Sequence, residues 1–269
     1  QSIHLRGIDA RKGQQILEPG LLLAPSEIAL LSSVGKAEVQ VCAFPRVAII
    51  STGDELLDIK EVPNDWQIRR SNSYALQSAL GEMGIHAITF HVKDERAAMG
   101  ERLLGILNGF DVLILSGGVS KGKFDFVPAA LMDAGIDRLF HEVSQRPGKP
   151  FWFGSSRLGK IAFALPGNPV STFMCFYRYV KPWILKSMGA PLHESFAILD
   201  HSYDFAPPLT CFLQVTITNE GGKLVATAVP GGGSGDFANL KKVDGFLELP
   251  LQKSEFLAGE VFPYIGFRQ

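Results

Sequence analysis

The residues best suited to chemistry gather in three polar motifs, each directly behind an apolar run of strand length. Ser51-Thr52-Gly53-Asp54-Glu55-Leu56 follows the run Arg46 to Ser51 and sets two carboxylates side by side. They can ligate a hard cation, although a turn or cap made by Asp54 explains the motif as well. Ser116-Gly117-Gly118-Val119-Ser120-Lys121-Gly122-Lys123-Phe124-Asp125 follows Asp111 to Leu115. Its glycines let backbone N–H groups approach an anion, its hydroxyls and lysines add donors, and Asp125 can ligate a cation. A plain flexible loop also holds glycines and serines, but glycines beside lysines at a strand end favour an anion cradle. Leu165-Pro166-Gly167-Asn168-Pro169-Val170-Ser171 follows Lys160 to Ala164. Asn168 suits an N-cap and Pro169 the first helical turn, so the next helix points its positive end past the strand ends. That end is worth ~0.3–1 kcal/mol per favourable charge.

Two basic motifs are weaker. Arg69-Arg70-Ser71-Asn72 precedes a helix expected from Ser73, where a solvated basic pair is the simpler explanation. Arg146-Pro147-Gly148-Lys149-Pro150 is a rigid turn bracketed by strands, with a lysine able to act as a point charge for phosphate. The histidines are scattered, without the spacing of a zinc site or the order of a Ser-His-Asp triad.

These motifs need elements to hold them. Helical spacing at Ser73 to Met83, Glu95 to Leu107, Phe126 to Ala134 and Val170 to Met188 alternates with strand-like runs at 46–51, Ala87 to Val92, 111–115 and 160–164. Such alternation predicts an α/β fold, a mostly parallel sheet covered by helices, over residues 46–190. Ligands bind such sheets outside the carboxyl ends of the strands. After Gly189-Ala190-Pro191, short segments near 197–205, 211–219, 223–229, 245–249 and 260–263 predict a small β-barrel over residues 194–269. Residues 1–45 form a separate start: a Gly/Pro-punctuated stretch, a helix from Pro25 to Val34 and the alternating Glu38 to Ala43, the remnant of a larger domain.

Composition narrows the function class. Hydrophobic residues are 46% and charged residues 20%, far from the signature of disorder. A net charge of −1 gives no global attraction to nucleic acid or an anionic membrane, so local devices must hold anionic ligands. The longest uncharged stretch, Ile161 to Tyr177, is broken by Pro166 and Pro169, which excludes a spanning helix there. Cys42, Cys175 and Cys211 are odd in number, far apart and apolar in setting, as expected of buried thiols in a reducing, cytoplasmic compartment. Position 1 is Gln, with no signal-like segment after it, which fits a fragment boundary.

In this order and spacing, STGDEL, RxSN, SGGVSxGxxD, PGKP and LPGNPVS closely resemble the molybdopterin molybdenumtransferase family of the bacterial MoeA type, which includes the E domain of animal gephyrin. Related pterin adenylyltransferases share the α/β fold and a glycine-rich loop, whereas the SGGVS and LPGNPVS pair resembles the transferase branch. The resemblance implies a magnesium-dependent transferase of several domains. It would bind adenylylated molybdopterin, insert molybdate at the dithiolene sulfurs and release AMP. The full-length form is expected to be a homodimer served by a molybdopterin adenylyltransferase, with no membrane or nucleic-acid partner. Glu55, Asp94 and Asp125 are carried over as catalytic and Mg2+-ligating carboxylates, with Asp54 beside Glu55. Ser116, Gly117, Gly118, Ser120, Lys149, Pro166, Gly167, Asn168, Pro169 and Ser234 are carried over as substrate-binding, Ser234 from a Gly-Ser turn that closes over the site.

The chemistry is coherent: Mg2+ takes carboxylates, phosphate oxygens and waters, while lysine, glycine N–H groups and a helix terminus offset the charge of molybdate. Relative to the family, the chain is expected to lack the N-terminal part of the first domain and the domain inserted beside it. Reduced turnover would follow. The alternatives are the adenylyltransferase itself and a non-catalytic pterin- or peptide-binding module.

Overall fold

The structure, a computed structural model, describes residues 7–93, 96–119 and 126–268, with the backbone alone at 96–98. It divides into two compact units, Gln1–Ala43 with Trp183–His193 and Phe44–Pro182 with Glu194–Gln269.

In the first unit, α1 (Pro25–Ser33) begins with proline at its first position and Glu27 reaching back to accept from the Ala24 N–H at 2.9 Å. The alternating stretch 38–43 forms no strand; it is exposed and irregular. Cys42 lies in it and is exposed, which corrects the expectation of three buried thiols; Cys175 and Cys211 are buried, and all three are free.

The second unit opens with β1 (Val47–Thr52), β2 (Leu56–Leu57), β3 (Ile68–Arg69), α2 (Ser71–Glu82), β4 (Ile88–Val92), α3 (Arg96–Gly109), β5 (Val112–Ser116) and α4 (Val127–Asp133). β6 (Asp137–His141), β7 (Gln145–Arg146), β8 (Trp152–Ser155), β9 (Ile161–Leu165) and α5 (Pro169–Cys175) follow, then a π-helical turn at Phe176–Val180; α6 (Lys181–Ser187) comes next in the chain and, from Trp183, belongs to the first unit. The main sheet runs β4-β1-β5-β9-β8-β6. β4, β1, β5 and β9 are parallel, while β8 and β6 add antiparallel to the edge. β1 and β5 are buried along their whole length, as uninterrupted apolar runs require when both faces are covered. Ala48, Ile50, Leu113 and Leu115 pack on Leu103 and Ile106 of α3 and on Ala130 and Leu131 of α4. α2 contacts β1 and α5, and α5 contacts β9, on the other side.

The barrel region comprises β10 (Ser195–Leu199), β12 (Thr210–Glu220), β13 (Lys223–Ala228), β14 (Gly245–Leu249) and β16 (Val261–Gly266), with β11 (Tyr203–Asp204) and β15 (Glu255–Phe256) paired in a small sheet of their own. Its order β13-β10-β16-β14-β12 closes because β12 also pairs with β13, which removes open edges. Leu199, Leu213, Val215, Leu247 and Phe262 fill the interior. Several contacts among the described residues seat the barrel on the α/β part. β7 adds parallel to β12, pairing Gln145 with Thr210 and Arg146 with Cys211. Arg178 Nε donates to Glu248 at 2.7 Å. The Phe267 ring packs on Phe173 at 4.8 Å and on Phe246 at 5.6 Å.

Candidate active site

β4, β1, β5 and β9 run parallel and therefore end at one edge of the sheet. At the end of β1, Thr52 is 3% exposed and its hydroxyl has no hydrogen-bond partner among the described residues. Gly53 follows, its carbonyl in hydrogen-bond contact with the His91 ring of β4 at 2.9 Å. Glu55 stands in the next turn, exposed, with no ion pair among the described residues. Its backbone carbonyl accepts from the Ile68 N–H at 2.9 Å, which fixes the turn.

At the end of β5, Ser116 is buried and Gly118 takes a left-handed φ of 67°. A Cβ on Gly118 would stand 2.6 Å from Val127 Cγ2 and 2.9 Å from Thr52 Oγ1. Only glycine fits there without displacing α4 or the end of β1. Ser120 and Asp125 of this loop, and Asp94 beyond β4, lie outside the described residues. Among the described residues no group of three or more His, Cys, Asp or Glu could hold a metal.

One side chain joins the β5 and β9 loops. Asn72, on the first turn of α2, donates through Nδ2 to Ser116 Oγ and the Gly167 carbonyl, each at 2.8 Å, and lies 3.3 Å from Thr172 Oγ1. Thr172 in turn donates to the Pro166 carbonyl at 2.5 Å. The arginines before it do not face the site. Arg70 pairs with Asp58, and Arg69 Nε donates to the Ile59 carbonyl at 3.1 Å.

Asn168 occupies the N-cap position of α5, but its side chain makes no cap bond. Its amide instead donates to Ser234 Oγ at 2.7 Å, and the Val170 N–H donates to the Ser234 carbonyl at 3.1 Å. The start of α5, expected to point freely at a ligand, is therefore met by the barrel.

Between the turn after β7, the loop before α5 and the barrel lies a cleft of about 670 Å³. It brings together Lys149, Pro166, Asn168 and Ser234 of the expected residues, but not Glu55 or Ser116 to Gly118. It also receives Arg146, Ser171, Tyr203, Cys211 and Gln214. Arg146 and Lys149 are exposed and have no carboxylate partner among the described residues. Burial pushes the Cys211 thiol up to about 12 and raises the Tyr203 phenol, so both stay neutral at physiological pH. Among the described residues no Asp or Glu lines the cleft, so its charged groups there are cations, which suit an oxyanion. Arg146 was visible in the RPGKP motif, where only the lysine was weighed; Tyr203 and Gln214 carry no local signal.

Comparison with known proteins agrees with this geometry. Residues 48–186 match the family described as a probable molybdopterin binding domain, and residues 197–267 match the MoeA C-terminal region, domain IV. A molybdopterin molybdenumtransferase of a Synechocystis species is 38% identical over 268 residues, 98% of this chain and 66% of that relative. One of Staphylococcus aureus is 32% identical over 275 residues, 98% of this chain and 64% of the relative. The crystal structure of a molybdopterin biosynthesis MoeA protein from Pyrococcus horikoshii superposes with TM-score 0.81 at 30% identity, covering 98% of this chain and 64% of that one. The chain thus spans somewhat less than two thirds of the length of these relatives. With the strand-end loops, the barrel and both domain matches in hand, the chain belongs to the MoeA-type molybdopterin molybdenumtransferase family.

Proposed function

We propose that this chain binds adenylylated molybdopterin at the strand-end edge and transfers molybdate to its dithiolene with release of AMP. The observation that carries the reading is the cationic cleft, where Arg146 and Lys149, without a carboxylate partner among the described residues, share one lining with Pro166, Asn168 and Ser234. Arg146 and Lys149 would hold the anionic groups, Asn168 and Ser234 would close the pocket, and the apolar walls from Phe205, Leu209 and Val229 would exclude water. The Asn72 bridge keeps the β5 loop registered against the β9 loop, so ligand groups spanning the two meet a fixed surface.

The reading includes Mg2+. Glu55, Asp94 and Asp125 follow β1, β4 and β5, neighbours in the sheet, and the Glu55 carboxylate is free of cationic partners among the described residues. This hard-oxygen donor set fits the ion. When bound, the cation would offset phosphate charge and favour departure of AMP. The reading further places the enzyme in the cytoplasm, as a homodimer in full-length form, served by an adenylyltransferase that makes its substrate.

Molybdate-dependent AMP release from adenylylated molybdopterin tests it. Glu55→Gln should lower the rate roughly 100-fold with the melting midpoint preserved, because several kcal/mol of charge stabilisation are removed. Wild-type turnover in that variant would overturn the metal assignment. Pyrophosphate release from ATP and molybdopterin, without AMP release, would move the chain to the adenylyltransferase class.

A further inference from the structure

We infer that Gln145 is a positioning residue for anion binding: its buried amide occupies the Gly148 carbonyl, which lines the cleft, and leaves Arg146 and Lys149 as the charges a ligand meets. The inference rests on the reading of the cleft as an anion site.

Gln145 is 1% exposed, an unusual place for an amide unless both of its ends are satisfied. Its Nε2 donates to the Gly148 carbonyl at 3.0 Å, and its Oε1 meets the Tyr179 hydroxyl. A carbonyl can only accept, so the amide has one admissible orientation and Tyr179 must be the donor. Burial raises the Tyr179 phenol, which keeps that proton in place at neutral pH. Tyr179 is itself fixed. It sits in the π-helical turn, the Phe151 ring packs on it at 5.0 Å, and Arg178, paired with Glu248 of the barrel, lies over its ring at 5.3 Å.

The turn cannot relax inward. A Cβ on Gly148 would stand 2.8 Å from Cys175 Sγ and 3.1 Å from Met174 Cε, so the backbone already lies against α5. Its ends are closed by the Val143 N–H donating to the Lys149 carbonyl at 3.0 Å. If packing alone were needed, a methionine of similar length would fill the position. What the amide adds is the direction of the Gly148 carbonyl, whose negative end would otherwise be free to turn toward an incoming oxyanion.

The test compares Gln145→Met and Tyr179→Phe with the unsubstituted chain by amide hydrogen exchange and by calorimetric titration with AMP and with molybdate. Exchange at Val143 should speed up, and anion affinity should fall ~10-fold, the equivalent of one lost buried hydrogen bond. In a Lys149→Ala background, Gln145→Met should still lower affinity, since the freed Gly148 carbonyl opposes an oxyanion whether or not the lysine is present. Should Gln145→Met fail to fold, Tyr179→Phe, which keeps the ring, carries the same expectations. A folded Gln145→Met chain with unchanged Val143 exchange, or with unchanged anion affinity, overturns the positioning role alone. An unsubstituted chain that binds neither AMP nor molybdate overturns the anion reading of the cleft and the inference with it.

Discussion

Gly118→Ala separates two costs that the glycine loop imposes. The native φ of 67° is left-handed, and an L residue there loses about 1–2 kcal/mol whatever its surroundings. The new methyl would also stand 2.6 Å from Val127 Cγ2 and 2.9 Å from Thr52 Oγ1. Val127 is fully buried at the start of α4 and Thr52 ends a buried strand, so neither yields without moving an element. Overpacking of that kind adds about 1–3 kcal/mol, giving roughly 2–5 kcal/mol in all. Gly159→Ala is the control, because Gly159 has a similar φ of 74° but nothing within 4 Å of its Cβ position. It should lose only the conformational part. Urea unfolding of the two variants measures both, with the midpoint shifting and the slope unchanged if only stability is affected. A total of 2–5 kcal/mol is a large share of the 5–15 kcal/mol typical of a domain, so the contrast is easily resolved. Equal losses in the two variants would refute the claim that the β5 loop is packed against β1 and α4.

Asn72→Asp preserves shape but turns an oxygen toward the Gly167 carbonyl and removes the donor to Ser116; a loss of ~2–3 kcal/mol in thermal or urea unfolding is expected, and an unchanged midpoint would show that the amide is no bridge. At the opposite edge of the sheet, Asp111 accepts from Arg46 at 2.9 Å and from Lys160 at 3.2 Å, and these bonds, the Arg46 one first, hold its carboxyl well below the usual aspartate range. A depressed folded value means the stabilisation is complete above the unfolded aspartate value and is lost as pH falls from there toward the folded value. Asp111 is 40% exposed, so solvent screening keeps the effect under about 1 kcal/mol. Asp111→Asn should therefore be slightly less stable than the unsubstituted chain at pH 7 and equal to it in strong acid, and a gap that widens on acidification would contradict the sign.

The parallel strands were legible because sandwiching makes them continuous apolar runs; Asp111 to Leu115 was expected and Val112–Ser116 is found. β6 and β8 were not. Asp137–His141 lies mostly exposed at the sheet edge and shows no alternation, while β8 is a four-residue strand interrupted by Gly154. The π-helical turn has no local signature either, since Phe176 to Val180 reads as ordinary helix and its neighbours come from both the α/β part and the barrel. The site divides the same way. Loops proposed to meet a ligand with their own backbone, such as Gly117-Gly118, announce themselves by composition. Asn72 does not, because its partners lie 44, 95 and 100 residues away.

Asn168 shows what propensity misses and what that does to the electrostatics. Taken alone, Asn168-Pro169 reads as a capped helix start presenting its dipole to a ligand, a contribution of ~0.3–1 kcal/mol. In the fold, Ser234 engages both the Asn168 amide and the Val170 N–H, so part of that terminus is already matched by a barrel carbonyl. A cation about 4 Å from an anion gains ~1 kcal/mol in bulk water and ~4 kcal/mol near a protein surface. Arg146 and Lys149, without a carboxylate partner among the described residues, would therefore outweigh the helix terminus in holding the proposed anion. On this ranking, β7 and the turn after it, which carry the two cations and are held by pairing with β12, would set where the proposed oxyanion sits. In that reading the barrel would act on the ligand through Ser234, which lines the cleft, and through β12, which pairs with β7.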